Sequence, residues 1–295
     1  IILNHKLDLL HVHYAIPHAS AAYLAKKIVE KKGIYIPVIT TLHGTDITLV
    51  GRNSTYAPVV AFSINESDAI TAVSKNLREE TYKFFPIEKE IEVIYNFVDV
   101  SRFHKKPIDA FRKAIAPNNE KVLLHASNFR KIKRVEDVIH IFNKIHTQTP
   151  SKLLLVGDGP ERPAMEQLSR ELDLCGDITF LGKQEQMEEI LAISDTFLLT
   201  SEYESFGLVA LEAMAAHVPV ISTNAGGLCE INVHGETGFL SDVGDVEDMS
   251  ANVLRMFRDE TLFKKMKRNA YEHATKFDIH HIVPQYEKLY KKFEK

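Results

Sequence analysis

The chain contains the stretch Thr196-Phe-Leu-Leu-Thr200-Ser-Glu-Tyr-Glu204-Ser-Phe-Gly207-Leu-Val-Ala-Leu-Glu212-Ala-Met-Ala215. This stretch has the pattern of a strand, a loop and a helix in succession. Its first five residues are apolar or threonine, which is typical of a buried strand. After Gly207, leucine, methionine and alanine recur at helical spacing. The pattern therefore predicts that Glu204 lies in the loop and Glu212 lies inside the helix.

The start of this helix has the properties of an anion-binding site. A helix that begins at a Ser-Phe-Gly turn offers unpaired backbone N–H groups and the positive end of its dipole, and both favour a phosphate. Glu212 has apolar neighbours, where an ionised carboxylate is costly unless a group such as a ligand hydroxyl hydrogen-bonds to it. The alternative is that Glu204 is a solvated loop residue and Glu212 a surface helix residue.

The same strand, loop and helix pattern recurs from Lys121 to Gly238. Strands such as Val122-Leu-Leu124 and Leu153-Leu-Leu-Val156 are continuously apolar. This predicts a parallel sheet with helices on both faces. Ligands bind such sheets at the loops after the carboxyl ends of the strands, so we expect a binding site there.

A basic cluster, Arg130-Lys-Ile-Lys-Arg134, follows the first of these strands and directly precedes a helix. Cations at a helix N-terminus oppose the helix dipole, so the cluster indicates a bound anion. A nucleotide diphosphate fits this requirement. The alternative is a solvated basic loop.

The amino-terminal part of the chain shows the same alternation of strands and helices. We predict four strands, at Leu7–His13, Pro37–Leu42, Asp68–Val73 and Ile91–Tyr95. We predict helices at Pro17–Lys31 and from the cap Ser74 to about Phe84. A hinge is expected at Asn96–Phe103, and a last helix with one apolar stripe is expected at Phe277–Lys295.

Composition is that of an ordinary enzyme. With 295 residues, 45% hydrophobic and 26% charged, the chain is long enough for two domains with sizeable cores. A net charge of -4 does not favour nucleic acid as a partner. We find no apolar run long enough to cross a membrane and no signal peptide. Cys175 and Cys229 fit structural thiols in a reducing cytoplasm, and a single disulfide between them is the alternative.

The chain resembles the retaining glycosyltransferases of the GT-B fold, family 4. The resemblance rests on the two glutamates, Gly157-Asp-Gly-Pro160, Phe180-Leu-Gly182, Ala225-Gly-Gly-Leu-Cys-Glu230 and Thr237-Gly-Phe239, and it covers essentially the whole chain. It implies an α/β architecture with two Rossmann-like, doubly wound parallel-sheet domains facing a cleft. Residues 1–102 would form the acceptor-side domain, 103–276 the donor-binding domain, and 277–295 a helix that packs back on the first domain.

Within this family, the chain resembles the members that join N-acetylglucosamine to L-malate in the bacillithiol pathway. Four segments carry this closer resemblance: His11-Val-His-Tyr-Ala-Ile-Pro-His18, Thr40-Thr-Leu-His-Gly-Thr-Asp46, Tyr95-Asn-Phe-Val-Asp99 and Ser127-Asn-Phe-Arg-Lys-Ile-Lys-Arg134. The resemblance implies UDP-N-acetylglucosamine as a co-substrate, L-malate as acceptor, and neither a metal nor another cofactor.

The resemblance also implies roles for particular residues. Glu204, Lys133, Arg130 and His43 would act at the reacting centre, with Lys133 and Arg130 beside the diphosphate; Asn128 stands where relatives usually have the diphosphate arginine. Gly157, Gly182, Ser205, Phe206, Gly207, Leu208 and Glu212 would bind the donor, and Tyr14, Thr41, Thr45 and Asn96 would hold the acceptor. A dicarboxylate acceptor calls for a cation, yet the first domain has few near these loops.

His11 and His13 alternate on one predicted strand and therefore point to the same face. They have no third metal ligand at a useful spacing, so the sequence predicts no zinc site.

Three alternatives remain open from sequence. A different acceptor, such as an inositol phosphate, a lipid or a polysaccharide, would change the product but not the donor site. Because the chain begins at Ile1 directly before a strand, we expect the first domain to be truncated and to lack the family's glycine-rich loop before Leu7. Such a chain would be a non-catalytic, nucleotide-sugar-binding fragment. The oligomeric state is also open, and a homodimer is one alternative.

Overall fold

The structure is a computed structural model that describes residues 2–50, 55–103 and 109–294. The chain divides into two compact units. One comprises Ile1–Phe97 together with His280–Lys295, and the other comprises Val98–Ile279.

Ten strands form two parallel sheets. They are β1 Leu10–His13, β2 Val38–Leu42, β3 Ala69–Ala72, β4 Ile91–Val93, β5 Lys121–Ser127, β6 Ser151–Gly157, β7 Ile178–Gly182, β8 Thr196–Leu199, β9 Val220–Thr223 and β10 Gly238–Ser241. The first unit has a four-stranded sheet in the order β1-β2-β3-β4, and the second unit has a six-stranded sheet in the order β10-β9-β8-β5-β6-β7. Every paired strand runs parallel to its neighbour in the described residues.

Helices connect the strands in both units. They are α1 Ile2–His5, α2 Ser20–Glu30, α3 Ala57–Asn65, α4 Lys75–Phe84, α5 Asp109–Ile115, α6 Val135–His146, α7 Arg162–Glu171, α8 Met187–Ala192, α9 Leu208–Ala215, α10 Leu228–Ile231, α11 Val246–Arg258, α12 Glu260–Ala274 and α13 Ile279–Lys291. Short π-helical turns lie at Ala15–Ala19 and Asp46–Val50, and 3-10 turns lie at Val100–Phe103, Lys131–Lys133 and Thr275–Phe277. No helix of the described residues is both long enough and apolar enough to span a bilayer.

The last helix completes the core of the first unit. Ile282 and Leu289 of α13 are buried in one cluster with Ile39 of β2 and Ile94, which follows β4. Tyr286 and Tyr290 are partly buried against this cluster. The apolar stripe read from the sequence therefore packs on the four-stranded sheet.

The second unit has the larger core. Leu123 on β5, Leu153 and Leu155 on β6, and Leu198 on β8 are fully buried in one cluster with the apolar side of α6. The order of the strands reverses between β5 and β8, because β5, β6 and β7 extend to one side and β8, β9 and β10 to the other. In open parallel sheets this reversal opens a crevice beyond the strand ends.

The predicted α/β architecture of two parallel-sheet units with alternating helices is confirmed. In the described residues, the strand order reverses in the second sheet, as a doubly wound unit requires, but not in the first, and several element bounds differ. Ser74 caps α4, because its hydroxyl accepts a hydrogen bond from the Leu77 N–H at 3.0 Å. The strand predicted from Leu7 begins only at Leu10, and the helix predicted from Pro17 begins at Ser20 because Pro17 lies in the π-helical turn. Helix α3 was not predicted, although Pro58 in its first turn is a helix-start signal.

Candidate functional site

The loops after β5 and β8 meet where the strand order of the second sheet reverses. They bring the Lys133 ammonium and the Glu204 carboxylate into direct ion-pair contact. Glu204 also accepts a hydrogen bond from the Ser201 hydroxyl at 2.9 Å. Both side chains of the pair are mostly buried, at 19% and 15% exposure. Two residues 71 positions apart in sequence thus form one charged centre.

The basic loop is held to the end of β8 by its backbone. The Thr200 hydroxyl lies 2.9 Å from the carbonyl oxygens of both Lys133 and Arg134. The Glu202 N–H donates to the Ile132 carbonyl at 2.8 Å. These contacts fix the position of Lys133 relative to Glu204 without using either charged group.

Gly226 and Gly227 support the Glu204 loop from below. A Cβ atom at Gly226 would lie 2.1 Å from the Glu204 carbonyl oxygen, and one at Gly227 would lie 2.4 Å from that of Ser205. The Gly227 N–H donates to the Glu204 carbonyl at 2.7 Å. Only glycine permits this approach of the two backbones.

Helix α9 begins directly after this loop. Gly207 is its N-cap residue with φ of 95°, in the left-handed region that favours glycine. Phe206 is buried and contacts Phe277 edge to face, which anchors the turn. Helix α9 therefore begins at Leu208, and the first backbone N–H groups of a helix have no partner within that helix.

Glu212 lies within α9, as predicted, and is half-buried. Burial, and next the like charge of Glu188, raise its pKa, whereas Arg102 lowers it. Arg102 and Glu188 themselves form an ion pair. Among the described residues, the Glu212 carboxylate has no hydrogen-bond partner, so a ligand hydroxyl can serve that role.

The glycines after β6 and β7 have different surroundings. A Cβ at Gly157 would lie 1.8 Å from the Ser127 carbonyl oxygen, so glycine there permits the contact between the loops after β5 and β6. Gly182 has φ of 66°, and a Cβ there would lie 3.6 Å from the Arg162 guanidinium, which leaves room for it. Both remain predicted donor-site residues, at the carboxyl edge of the same sheet.

Arg130 stands apart from the Lys133 and Glu204 pair. It is exposed and lines a separate cavity of about 130 Å³ together with Lys131, Arg134, Glu161 and Glu202. Arg134 is turned away from the pair as well, with its guanidinium bonded to Asp137 and Glu202. Of the basic cluster, the structure joins only Lys133 to Glu204.

His125 lies beneath the site and was not predicted from the sequence. It is fully buried on β5, and burial lowers its pKa to about 4. Its Nδ1 bonds to the Leu198 carbonyl at 2.9 Å and its Nε2 to the Ser127 hydroxyl at 2.8 Å. It joins β5 to β8 beneath the site. A single histidine within an apolar strand has no sequence pattern that indicates such a bridging role.

In the first unit, several predicted residues gather at the carboxyl ends of β1 and β2. The His43 Nε2 lies 2.8 Å from the His13 Nδ1, and the Tyr14 ring centroid lies 4.9 Å from that of His43. Tyr14 has φ of 74°. Such a conformation is costly for tyrosine and is more common at functional sites. Thr45 is exposed in the same loop as His43.

Asp46 holds the two loops together and was not predicted. Its buried carboxylate accepts hydrogen bonds from the Ala15 N–H at 2.6 Å and the Gly44 N–H at 3.3 Å. Burial raises its pKa, and the backbone donors oppose that shift. This carboxylate thereby positions the loop of His43 beside the turn that follows Tyr14.

Two other predicted acceptor residues, Thr41 and Asn96, do not lie beside Tyr14 and His43 on the surface. Thr41 is fully buried, and its hydroxyl lies 2.7 Å from both the His11 Nε2 and the Thr71 hydroxyl. It therefore supports the histidines from beneath. Asn96 follows β4, which lies at the opposite edge of the sheet from β1. The structure does not bring Asn96 beside Tyr14.

The histidines of β1 point to one face, as predicted, because the ring centroids of His11 and His13 are 4.7 Å apart. In the described part of the chain, no group of three or more histidine, cysteine, aspartate or glutamate side chains is arranged to hold a metal ion.

Two parallel-sheet units, with charged loops at the strand-order reversal of the second, define a protein of the GT-B class. Solved structures support the class: the Anabaena protein Alr3699/HepE in complex with UDP-glucose superposes with a TM-score of 0.88 at 24% identity, covering 98% of this chain and 80% of that chain. The family model "Glycosyl transferases group 1" matches residues 108–273, and "Glycosyltransferase Family 4" matches residues 1–102. The chain belongs to this glycosyltransferase family.

Individual relatives of known and unknown function support membership of the same family. The chain is 46% identical over 286 residues to the N-acetyl-alpha-D-glucosaminyl L-malate synthase of Bacillus anthracis, covering 96% of this chain and 74% of that protein. It is 28% identical over 303 residues to an uncharacterised glycosyltransferase of Methanocaldococcus jannaschii, covering 97% of this chain and 75% of the other.

Proposed function

We propose that this protein transfers N-acetylglucosamine from UDP-N-acetylglucosamine to the hydroxyl group of L-malate with retention of anomeric configuration. The observation that carries the proposal is the contact between Lys133 and Glu204 at the strand-order reversal of the second unit. Identity of 46% to a synthase named for the same product supports the choice of sugar and acceptor.

The second unit would bind the donor through the loops after β5, β8 and β9. Glu204 would accept hydrogen bonds from the sugar hydroxyls, and the N–H groups at the start of α9 would bind the β-phosphate. Glu212, which has no hydrogen-bond partner among the described residues, would accept from the ribose hydroxyls. In this arrangement, binding exchanges the Lys133–Glu204 ion pair for contacts with the diphosphate and the sugar.

The reaction would follow a front-face route. The malate hydroxyl oxygen bonds to the anomeric carbon on the face that the diphosphate leaves, the bond from that carbon to the β-phosphate oxygen breaks, and the hydroxyl proton passes to the departing diphosphate. Lys133 and the start of α9 would stabilise the negative charge that develops on this leaving group. The products are the glycoside of malate and UDP.

Activity measurements with matched variants test the proposal. UDP release is followed with UDP-N-acetylglucosamine and L-malate, and the glycoside is identified by mass spectrometry. We expect Lys133→Ala to lower kcat/KM by about 100-fold or more, since removing one preorganised charge-stabilising donor commonly costs about 10²–10³ in rate. Lys144→Ala is the control, because Lys144 is also paired with a glutamate but lies on α6 beside Glu247.

Three results would contradict the proposal: an unchanged rate in Lys133→Ala, equal losses in both variants, or a product that contains another sugar or acceptor. Glycosylation of an inositol phosphate instead of malate would contradict the proposed acceptor and leave the proposed donor site in place.

A further inference from the structure

A cluster of imidazole and phenol rings covers the carboxyl end of β1 in the first unit. His13 and His43 are joined by the hydrogen bond between Nδ1 and Nε2 described above. His11 lies behind them, bonded to the Tyr290 hydroxyl through Nδ1 and to Thr41 through Nε2, both at 2.7 Å. His11 therefore has both ring nitrogens occupied, whereas the His13 and His43 pair does not.

The outer nitrogens of the pair are available to a ligand. Neither the His13 Nε2 nor the His43 Nδ1 has a hydrogen-bond partner among the described residues. Two neutral imidazoles carry two protons in all. One proton lies in the bond between the rings, so the second occupies one outer nitrogen and the other outer nitrogen is an acceptor. A third proton would make both outer nitrogens donors and give the pair one positive charge.

Within the described residues, the surroundings of the pair oppose that charge in the unliganded protein. Burial and then the neighbouring histidines lower the pKa of His43 to about 4, and burial and then His18 lower the pKa of His13. In the part of the chain that the structure describes, the titratable and charged groups around the pair lie on four segments. They are His11 on the same strand, His18 and Tyr14 in the following turn, Tyr286 and Tyr290 on α13 next to His11, and Asp46 in the His43 loop. Asp46 is committed to backbone N–H groups of Ala15 and Gly44.

We propose that the His13–His43 pair is the cationic anchor for a carboxylate of the acceptor, and that it takes up one proton when the acceptor binds. This inference rests on the proposed function, because it assigns a recognition group to the acceptor. The protonated His13–His43 pair would supply the cation that a dicarboxylate requires, although both residues are neutral when the site is unliganded. His13 becomes a specificity-determining residue for anionic over neutral acceptors.

The proton uptake follows from the electrostatics of the pair. An opposite charge within about 4–6 Å raises the pKa of a cationic group by about 1–3 units. A bound carboxylate would therefore move the titration of the pair from acid pH towards neutrality, and binding would draw a proton from solution. Between the pKa of the free pair and the pKa of the liganded pair, acceptor binding should weaken by as much as about tenfold per pH unit, and above the second value it should level off, because binding then takes up no proton.

Calorimetric titration measures this uptake directly. L-Malate is titrated into the protein with UDP present, at pH 6 and pH 7, in two buffers of different ionisation enthalpy. We expect uptake of a substantial fraction of one proton at pH 6, less at pH 7, and an acceptor KM that rises from pH 6 to pH 8 while donor affinity stays constant. His13→Asn keeps an amide N–H near the Nδ1 position but cannot take the charge. It should abolish the uptake, flatten the pH dependence and weaken malate binding by about 10-fold to 100-fold.

His140→Asn is the matched control, because His140 is a half-exposed histidine on α6 of the other unit and should leave all these quantities unchanged. Malate that binds and is glycosylated without proton uptake, or with uptake that persists in His13→Asn, overturns the inference and leaves the proposed function intact. Malate that binds with His13-dependent uptake but is not glycosylated supports the inference and refutes the proposed acceptor. If malate neither binds nor reacts, both are refuted, and glycosylation of neutral myo-inositol would then identify an uncharged acceptor.

Discussion

Glu212 illustrates how a binding residue can destabilise the protein that carries it. Its carboxylate is half-buried in α9 near Glu188 and has no hydrogen-bond partner in the described residues. Because burial and Glu188 raise its pKa in the folded state, ionisation of Glu212 disfavours folding above that pKa. Binding a ligand hydroxyl would offset this cost.

Glu212→Gln should therefore have opposite effects on stability and on binding. We expect the unliganded variant to melt at a higher temperature than the wild type at pH 8, with a smaller gain at pH 5, where the wild-type carboxyl is closer to its protonated form. UDP affinity should fall by about 10-fold or more, since hydrogen bonds to a charged group contribute about 1.5–3 kcal/mol. Thermal melting and calorimetry measure the two effects.

The control for this change is Glu189→Gln, an exposed glutamate on the neighbouring helix α8. It should alter neither quantity. A Glu212→Gln variant that binds UDP as well as the wild type would show that this carboxylate does not face the donor.

Sequence predicted single residues well where the chemistry is local. The loop position of Glu204, the helical position of Glu212 and the cap at Ser74 follow from patterns within a few residues. The family resemblance placed Lys133 and Glu204 at one reacting centre, but the sequence did not predict their direct ion pair. It also did not predict that Asp46 bridges two loops or that His13 pairs with His43. Each of these contacts joins segments about 30 or more positions apart, and only the order of the strands brings them together.

Among the secondary-structure elements, the loop after β9 sets the position of the loop after β8. Gly226 has φ of 63° and lies against the Glu204 carbonyl, whereas Gly235 has φ of 78° with no atom within 4 Å of its missing Cβ. Alanine substitutions at these two glycines separate two effects. Both substitutions strain a left-handed backbone, but only the one at Gly226 would also displace a neighbouring loop.

Gly226→Ala and Gly235→Ala should both lose about 1 kcal/mol of unfolding free energy from the backbone conformation. Only Gly226→Ala should also lose turnover, by about tenfold or more, because a Cβ 2.1 Å from the Glu204 carbonyl displaces the loop that carries Glu204. Urea unfolding and UDP release measure the two effects. Equal turnover in the two variants would mean that the position of this loop does not limit the reaction.

Element bounds were harder to predict than element types for a physical reason. The strands end where their loops start to make specific contacts, so the predicted strand at Ile91–Tyr95 ends at Val93 and the predicted strand at Asp68–Val73 covers only Ala69–Ala72. Asp68 instead uses its carboxylate to bind Lys26, Tyr35 and the Val38 N–H. Apolar patterning continues past the point where pairing stops.

For the molecule as a whole, buried histidines make the free energy of unfolding depend on pH. The pKa values of His11, His43 and His125 are each lowered to about 4, with burial as the largest cause. In the unfolded chain they would titrate near about 6.5. The unfolded state therefore binds more protons than the folded state between these values, and the free energy of unfolding must fall as pH decreases through this window.

We expect the free energy of unfolding, measured with urea, to fall by about 2–4 kcal/mol between pH 7 and pH 5.5. At pH 5.5 each such histidine would contribute about 1.4 kcal/mol if fully desolvated, and partial exposure of His11 and His43 reduces the sum. Asp46 and Glu212, whose pKa values are raised, act in the opposite direction, which favours the lower end of this range. Constant stability across this interval would mean that these histidines are protonated in the folded protein at pH 5.5. In that case the His13–His43 pair would carry its charge at pH 5.5 before any acceptor bound, and acceptor binding at that pH would take up no proton.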